Sequence, residues 1–105
     1  MIFDWLFNRR NFGARSSSWR KVRKLHLALF PYCEVCGGDK KLAVHHIIPY
    51  HIDKSLELDR SNLITLCNHR NRKCHFIFGH FYSFKKYNIN IKKDSEIWKQ
   101  KIQGV

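Results

Sequence analysis

Four cysteines place the strongest constraint on how this 105-residue chain can fold. Cys33 and Cys36 form a Cys-x-x-Cys pair followed by two glycines, and Cys67 and Cys74 follow with six residues between them. The glycines allow the backbone to fold back after the second thiolate, as zinc-binding turns require. Because four thiolates are a common closed shell for Zn²⁺, the sequence predicts a structural zinc site that joins two distant parts of the chain.

Two alternatives to a zinc site stay open. Four reduced, buried cysteines could pack as small apolar side chains, and a secreted chain could pair them as disulfides in three ways. No stretch has the ~18 apolar residues of a membrane span, and the apolar opening MIFDWLF is interrupted by Asp4 and followed by basic residues, unlike a signal peptide. We therefore expect a cytoplasmic protein without membrane association, in which reduced thiols hold a metal.

The charge of the chain is large and unevenly distributed. The formal net charge is +12, and the excess lies in residues 1–24 and 70–105, whereas the stretch 25–69 is slightly acidic. A solvated surface that only keeps the protein soluble is one explanation. Basic ends around a nearly neutral centre fit a polyanion better, so we expect a nucleic acid as the partner.

The length predicts one α+β domain, with a basic arm over residues 1–14 and the folded domain over 15–105. Two short β-rich runs with a long connection predict an antiparallel hairpin, and helical spacing flanks it on both sides. The aromatic residues between Phe76 and Phe84 are assigned to the core. The predicted elements are a helix from Trp19 to about Leu29 that buries Leu25 or His26, strands over Leu42 to Ile48 and Leu63 to Leu66, a helix from Cys74 to Tyr87, and a last helix from Asp94 to Ile102 that has Asp94 as its N-cap and buries Ile97 and Trp98.

A second set of polar side chains lies between and beside the cysteines. His45 and His46 are adjacent in the first strand, Asn62 precedes the second strand, and His75 follows Cys74. Hydrolysis of a phosphodiester needs a base for water and a positive centre for the phosphate, and imidazole suits the base because its pKa is ~6.5. Adjacent strand residues point to opposite faces, so one of the two histidines can reach a metal and the other a water.

These residues resemble the HNH endonucleases, a family with a ββα-metal fold, in the Cys-x-x-Cys form common in small phage and prophage proteins. The resemblance implies a core of an antiparallel hairpin plus a helix, stapled by the four-cysteine zinc site, in a protein of a bacterial or phage-infected cell. It is carried by residues Trp19 to Gly37, His45 to Pro49, Leu56 to Asp59, Asn62 to Cys67 and Cys74 to His80.

The resemblance also implies roles for individual residues. His46 is the general base, Asn62 bonds backbone across the hairpin and holds the His46 loop, and His75 is a ligand of a catalytic divalent metal. His45 stands where many members carry a metal-binding aspartate, and an imidazole there favours Zn²⁺, Ni²⁺ or Mn²⁺ over Mg²⁺. His80 is a further candidate ligand, although five residues along an α-helix is about 140° round from His75.

The sequence therefore predicts a metal-dependent endonuclease that acts on double-stranded DNA, with the oligomeric state open. The alternative is a zinc-stabilised nucleic-acid-binding module without catalytic activity. Seven cations are expected to contact phosphate, four on the first helix and three in the insert between the last two cysteines: Arg20, Lys21, Arg23, Lys24, Arg70, Arg72 and Lys73.

Overall fold

A computed structural model describes residues 16–104, so the arm expected over residues 1–14 lies outside the described part of the chain. The fold is α+β, as the sequence predicts. None of the helices within residues 16–104 has the length and apolar character needed to cross a membrane. The elements in chain order are α1 (Trp19–Leu29), β1 (Leu42–His46), β2 (Leu63–Cys67), a π-helical turn (His75–Gly79) and α2 (Ile91–Gln103), with single 3₁₀ turns at Lys54–Leu56 and Arg60–Asn62.

Helix α1 has the predicted bounds. Ser18 is its N-cap, without a side-chain hydrogen bond, and Phe30 is its C-cap, immediately before the proline that stops the helix. Of the two candidates for its buried face, His26 is buried and Leu25 is 46% exposed. The helix is tied to the hairpin because the Thr65 hydroxyl donates a hydrogen bond to the carbonyl of Phe30, at 2.9 Å.

Strands β1 and β2 form the predicted antiparallel hairpin, in a register that pairs Leu42 with Cys67 and His46 with Leu63. Strand β1 ends at His46 and not at the predicted Ile48. The reason is that the backbone N–H and carbonyl of Ile48 bond to the Asn62 side chain and not to a strand. The N–H of Ile47 still bonds the backbone carbonyl of Asn62, so side-chain bonding replaces the ladder only at Ile48.

The core is small, and cysteines are several of its buried residues. Cys33, Cys67 and Cys74 are at most 2% exposed and pack with Val35, Leu66 and other apolar side chains around the hairpin. A chain of this size buries a limited apolar area, so a metal held by these cysteines would add stability that the core alone does not supply.

The predicted helix from Cys74 to Tyr87 is wrong beyond its first turn. The chain makes the π-helical turn His75–Gly79, and then Phe81 and Tyr82 take left-handed φ values of 50° and 68°. A helix cannot continue through such a backbone. The aromatic side chains are therefore largely outside the core: Phe81, Tyr82 and Phe84 are 46%, 68% and 64% exposed, and Phe78 alone of this group packs against the core cluster.

The last helix begins at Ile91, three residues before the predicted start. Asn90 is the N-cap, and Asp94 lies in the first turn, where its carboxylate accepts a 2.8 Å hydrogen bond from the Asn88 side chain. The helix buries Ile91 and Ser95, not the predicted pair: Ile97 is 44% and Trp98 39% exposed.

Candidate active site and structural metal centre

The four cysteines converge on one point. Their sulfur atoms all lie within 4.8 Å of one another, and the Sγ atoms of Cys36 and Cys67 are 3.7 Å apart. A tetrahedral Zn²⁺ shell with Zn–S bonds of about 2.3 Å separates its sulfurs by about 3.8 Å. The cluster therefore has the donor set and the spacing of a four-thiolate metal site, and none of the cysteines forms a disulfide.

The electrostatics of the cysteine cluster also favour a cation. A hydrogen bond with Cys74 lowers the pKa of Cys33 to about 5, and the same contact raises the pKa of Cys74. Burial raises the pKa of Cys36. One thiolate thus suppresses the ionisation of its neighbours, and only a bound cation would allow all four to ionise together.

Backbone geometry prepares the first cysteine pair for this role. The N–H of Cys33 bonds the carbonyl of Gly38, and the N–H of Gly37 bonds the carbonyl of Cys33. Gly37 has φ +76°, where glycine is favoured, and a Cβ there would lie 2.8 Å from the side chain of Gln103. The Cys-x-x-Cys turn is therefore fixed against helix α2.

Three histidines form a second cluster. His45 comes from β1, and His75 and His80 come from the start and the end of the π-helical turn. His75 Nε2 lies 3.0 Å from His45 Nδ1 and 3.2 Å from His80 Nε2. Four ligands at Zn–N distances of about 2.05 Å would be about 3.3 Å apart, so the three nitrogens are spaced as ligands of one ion.

Two hydrogen bonds fix the tautomers of this cluster. His75 Nδ1 lies 3.1 Å from the side-chain oxygen of Asn68, and His80 Nδ1 lies 2.7 Å from the carbonyl of Lys86. Both partners are acceptors, so both Nδ1 atoms carry hydrogen and both Nε2 atoms carry a lone pair. Two lone pairs that face each other at 3.2 Å repel unless a cation lies between them. The outer hydrogen bonds thus prepare His75 and His80 to bind a metal.

His45 completes the cluster from the strand. It is 2% exposed, and its Nε2 is a buried atom without a hydrogen-bond partner among the described residues. Burial and the neighbouring histidines lower the pKa of His45 to about 3, and burial and His80 lower the pKa of His75 to about 4. Both rings are therefore neutral at physiological pH, which is the state that binds metal.

Gly79 allows His45 and the π-helical turn to approach each other. A Cβ at Gly79 would lie 3.1 Å from Cε1 and 3.2 Å from Nε2 of His45. The turn also explains His80. In a π turn the hydrogen bond runs from i to i+5, so a residue five positions on returns to the same side, and the 140° separation expected for an α-helix does not apply.

His46, the next residue of β1, has other partners than the three-histidine cluster. Its Nε2 donates a 2.9 Å hydrogen bond to the carbonyl of Glu57, so the lone pair lies on Nδ1. The ring packs against Trp19 of α1, with ring centroids 4.4 Å apart. His46 and the three histidines line the same open cleft, of about 370 Å³, together with Tyr50, His51 and Phe84 among others.

Asn62 connects the two ends of the loop that follows β1. Its side-chain oxygen accepts from the N–H of Ile48 at 2.9 Å, and its amide donates to the carbonyls of Ile48 and Leu56 at 3.0 and 3.2 Å. Glu57, whose carbonyl orients His46, follows directly after Leu56. The loop that holds His46 is therefore fastened by a single buried side chain, which is 7% exposed.

The seven expected phosphate contacts are all exposed, in two groups on different parts of the surface. Four lie on α1, which reaches the cleft through Trp19. In the insert, a guanidinium nitrogen of Arg72 lies 3.8 Å from Cys36 Sγ, so this side chain neighbours the cysteine cluster and not the histidine cluster.

Sequence reasoning missed the outer hydrogen-bond partners of the histidine cluster. Asn68 lies in an insert that reads as a polar turn, and the Lys86 carbonyl carries no side-chain signal. Phe84 was assigned to the core. Gly79, by contrast, interrupts an otherwise apolar helical pattern, and such a glycine is the available sign of close backbone packing.

The comparison with known families agrees with this geometry. The HNH endonuclease family model matches residues 33–76, whereas no curated protein and no solved structure matches the chain significantly. The matched segment contains all four cysteines and the hairpin with its histidines, and His80 lies outside it. On this evidence, residues 33–76 of the chain are similar to an HNH endonuclease domain.

Proposed function

We propose that this protein is a metal-dependent HNH endonuclease that hydrolyses phosphodiester bonds of double-stranded DNA in the cytoplasm. The observation that carries the proposal is the arrangement of lone pairs in the cleft. Hydrogen bonds to fixed acceptors leave Nε2 of His75 and His80 deprotonated beside His45, and leave Nδ1 of His46 deprotonated at the next position of the same strand. A metal-binding cluster and a base thus line one cleft.

His46 is the proposed general base. Its Nδ1 would take the proton from the attacking water, while the Glu57 carbonyl holds the ring through Nε2 and stabilises the imidazolium that forms. Asn62 is a positioning residue, because it fastens the loop that carries that carbonyl. The packing of Trp19 on the His46 ring further limits its rotation.

A catalytic divalent ion would be held by His45, His75 and His80. When bound, it would supply the positive charge that stabilises the phosphate and the leaving oxygen. Three imidazoles without a carboxylate favour Zn²⁺, Ni²⁺ or Mn²⁺ over Mg²⁺. A separate structural Zn²⁺ would be held by the four cysteines, which form a group distinct from the three histidines.

Charge supports DNA as the partner. The net charge is +12, and the exposed cations of α1 lie on the helix that contacts His46. These are Arg20, Lys21, Arg23 and Lys24. We assign them, with Arg70, Arg72 and Lys73, to the phosphate backbone, so binding should weaken steeply as salt is raised.

The test is nicking of supercoiled plasmid in Mg²⁺, Mn²⁺, Ni²⁺ and Zn²⁺ by the wild type, His46→Ala and His75→Ala. We expect nicking by the wild type, and its loss in both variants. His69→Ala is the matched control, because His69 lies in the insert outside the cleft, and it should leave the rate unchanged. Cutting that survives His46→Ala would overturn the assigned base. DNA binding without cutting in any metal would favour a zinc-stabilised binding module.

A further inference from the structure

A group of aromatic side chains, of which two are exposed and one is half-buried, borders the three-histidine cluster. We call Phe76, Tyr82 and Phe84 the aromatic rim. Tyr82 and Phe84 are 68% and 64% exposed, and both rings pack on Phe76, with centroid distances of 6.1 and 4.9 Å. Large apolar side chains so open to water are costly to leave uncovered and are typical of binding surfaces.

The backbone that presents the aromatic rim is in an unusual conformation. Phe81 and Tyr82 are consecutive bulky residues with positive φ, which is a rare state for such side chains. The N–H groups of Phe81 and Tyr82 bond the carbonyls of Ile77 and Phe76, so the turn is held in place. Strain of this kind persists where it places side chains for a purpose.

The aromatic rim is immediately beside the metal ligands. The Phe84 ring centroid lies 4.8 Å from that of His80 and 6.1 Å from that of His75, and Phe84 lines the cleft. Successive nucleotides of a stacked strand rise about 3.4 Å each. A base within one or two nucleotides of a phosphate at the histidine cluster would therefore reach the exposed part of Phe84.

Charge beside the aromatic rim favours a nucleic acid as its occupant. Lys85 and Lys86 follow Phe84 directly and are exposed, and the carbonyl of Lys86 holds His80. Aromatic rings next to cations, along a path for a phosphate backbone, are the features with which proteins bind unpaired bases. An apolar protein partner would not require the two lysines.

We propose that Phe84 and Tyr82 stack on bases that are unpaired next to the scissile phosphate, so that the preferred substrate is DNA with a gap or single-stranded stretch at the cut. This inference rests on the proposed nuclease function for the position of that phosphate. A paired base has both faces covered by its neighbours in the duplex and cannot offer one to the rim.

The test uses zinc-loaded protein with His46→Ala to prevent cutting. Its affinity is measured by fluorescence anisotropy for a gapped DNA and for a fully paired DNA of the same sequence. We expect tighter binding of the gapped DNA, and we expect Phe84→Leu to weaken that binding by about 5- to 150-fold, the range for loss of one base–aromatic stack. Binding of the paired DNA should change less than about 2-fold, because phosphate contacts remain.

Two further variants separate stacking from mere packing. Phe84→Trp keeps an aromatic face and should retain the preference for gapped DNA. Phe30→Leu is the matched control, because Phe30 is a 44% exposed phenylalanine outside the cleft. The fluorescence of a 2-aminopurine placed in the gap should be quenched when the His46→Ala protein binds. The double variant His46→Ala/Phe84→Leu should not quench it. Tyr82→Leu provides a second probe of the rim should Phe84→Leu lose its zinc.

The outcomes distinguish this inference from the proposed function. If the wild type nicks DNA and Phe84→Leu has the same ratio of affinities for gapped and paired DNA as the protein with Phe84, the stacking proposal is wrong and the proposed nuclease function is unaffected. A stacking signal with no cutting in any metal would overturn the nuclease and support the rim as a base platform. Loss of self-association in Phe84→Leu, with DNA binding unchanged, would reassign the rim to a protein interface.

Discussion

Replacement of Asn62 should show how much the hydrogen bonds of this side chain stabilise the loop that carries Glu57 beside the cleft. Its side chain makes three hydrogen bonds, of 2.9, 3.0 and 3.2 Å, and is 93% buried. At a net ~1 kcal/mol for each hydrogen bond, Asn62→Ala should lower the free energy of unfolding by about 3 kcal/mol. A chain of this length has about 5–15 kcal/mol in total, so the variant should remain folded.

Asn62→Asp gives a sharper test, because it preserves shape and changes one group. One carboxylate oxygen can still accept from the N–H of Ile48. The other replaces an amide that donates to the carbonyls of Ile48 and Leu56, so it faces two acceptors. Repulsion is added to the two lost bonds, and Asn62→Asp should destabilise the fold at least as much as Asn62→Ala.

The assay is urea denaturation of the zinc-loaded proteins, followed by circular dichroism. Asn71→Ala is the control, since Asn71 is exposed in the insert, and it should lie within ~0.5 kcal/mol of the wild type. The reasoning is refuted if Asn62→Ala also lies within that range, or if Asn62→Asp is as stable as the wild type.

Three further predictions follow from the metal sites. Cys36→Ser or chelation should unfold the protein, because zinc binding contributes on the order of 10 kcal/mol; an unchanged circular dichroism spectrum with no zinc by elemental analysis would contradict this. The pKa of His75 is lowered from 6.5 to about 4 and that of His45 to about 3, so below pH 6.5 the unfolded chain takes up protons that the folded protein does not. The free energy of unfolding should therefore be greatest above pH 6.5 and should fall as the pH is lowered toward 4. The urea midpoint at each pH measures this fall. Gly79→Ala should displace the His45 ring and weaken metal binding at the histidine cluster by about 10- to 100-fold in calorimetry of protein whose cysteines already hold zinc, and an unchanged affinity would refute the contact argument.

The hairpin and the first helix follow from local sequence. Proline after Phe30 ends α1, and short β-rich runs on either side of a long polar connection define the strands. The cysteine cluster follows from spacing and from the chemistry of thiolates. The period of a strand predicts different directions for His45 and His46, and in the structure the two rings have different partners: His45 contacts His75 and His80, whereas His46 contacts Trp19 and the Glu57 carbonyl.

The segment after Cys74 did not follow from its sequence. Its apolar and aromatic residues have helical spacing, and the sequence offers no sign that the chain leaves the helix at His80. The left-handed backbone at Phe81 and Tyr82 is held by bonds from their N–H groups to the carbonyls of Ile77 and Phe76, and the N–H of Asn88 bonds the carbonyl of Gly79. The prediction of a buried aromatic face failed for that reason.

By itself the sequence determined which chemical groups the chain offers: four thiols with the spacing of a closed metal site, and histidines and an asparagine in an order similar to that of an HNH domain. Spacing and ligand preference are local properties, and they are legible in a single chain. Tertiary structure decided whether His80 joins His75. A π-helical turn, admitted by Gly79 against His45, brings the two Nε2 atoms within 3.2 Å. Acceptors from Asn68 and Lys86 then fix their lone pairs inward, and these partners meet only when the chain has folded.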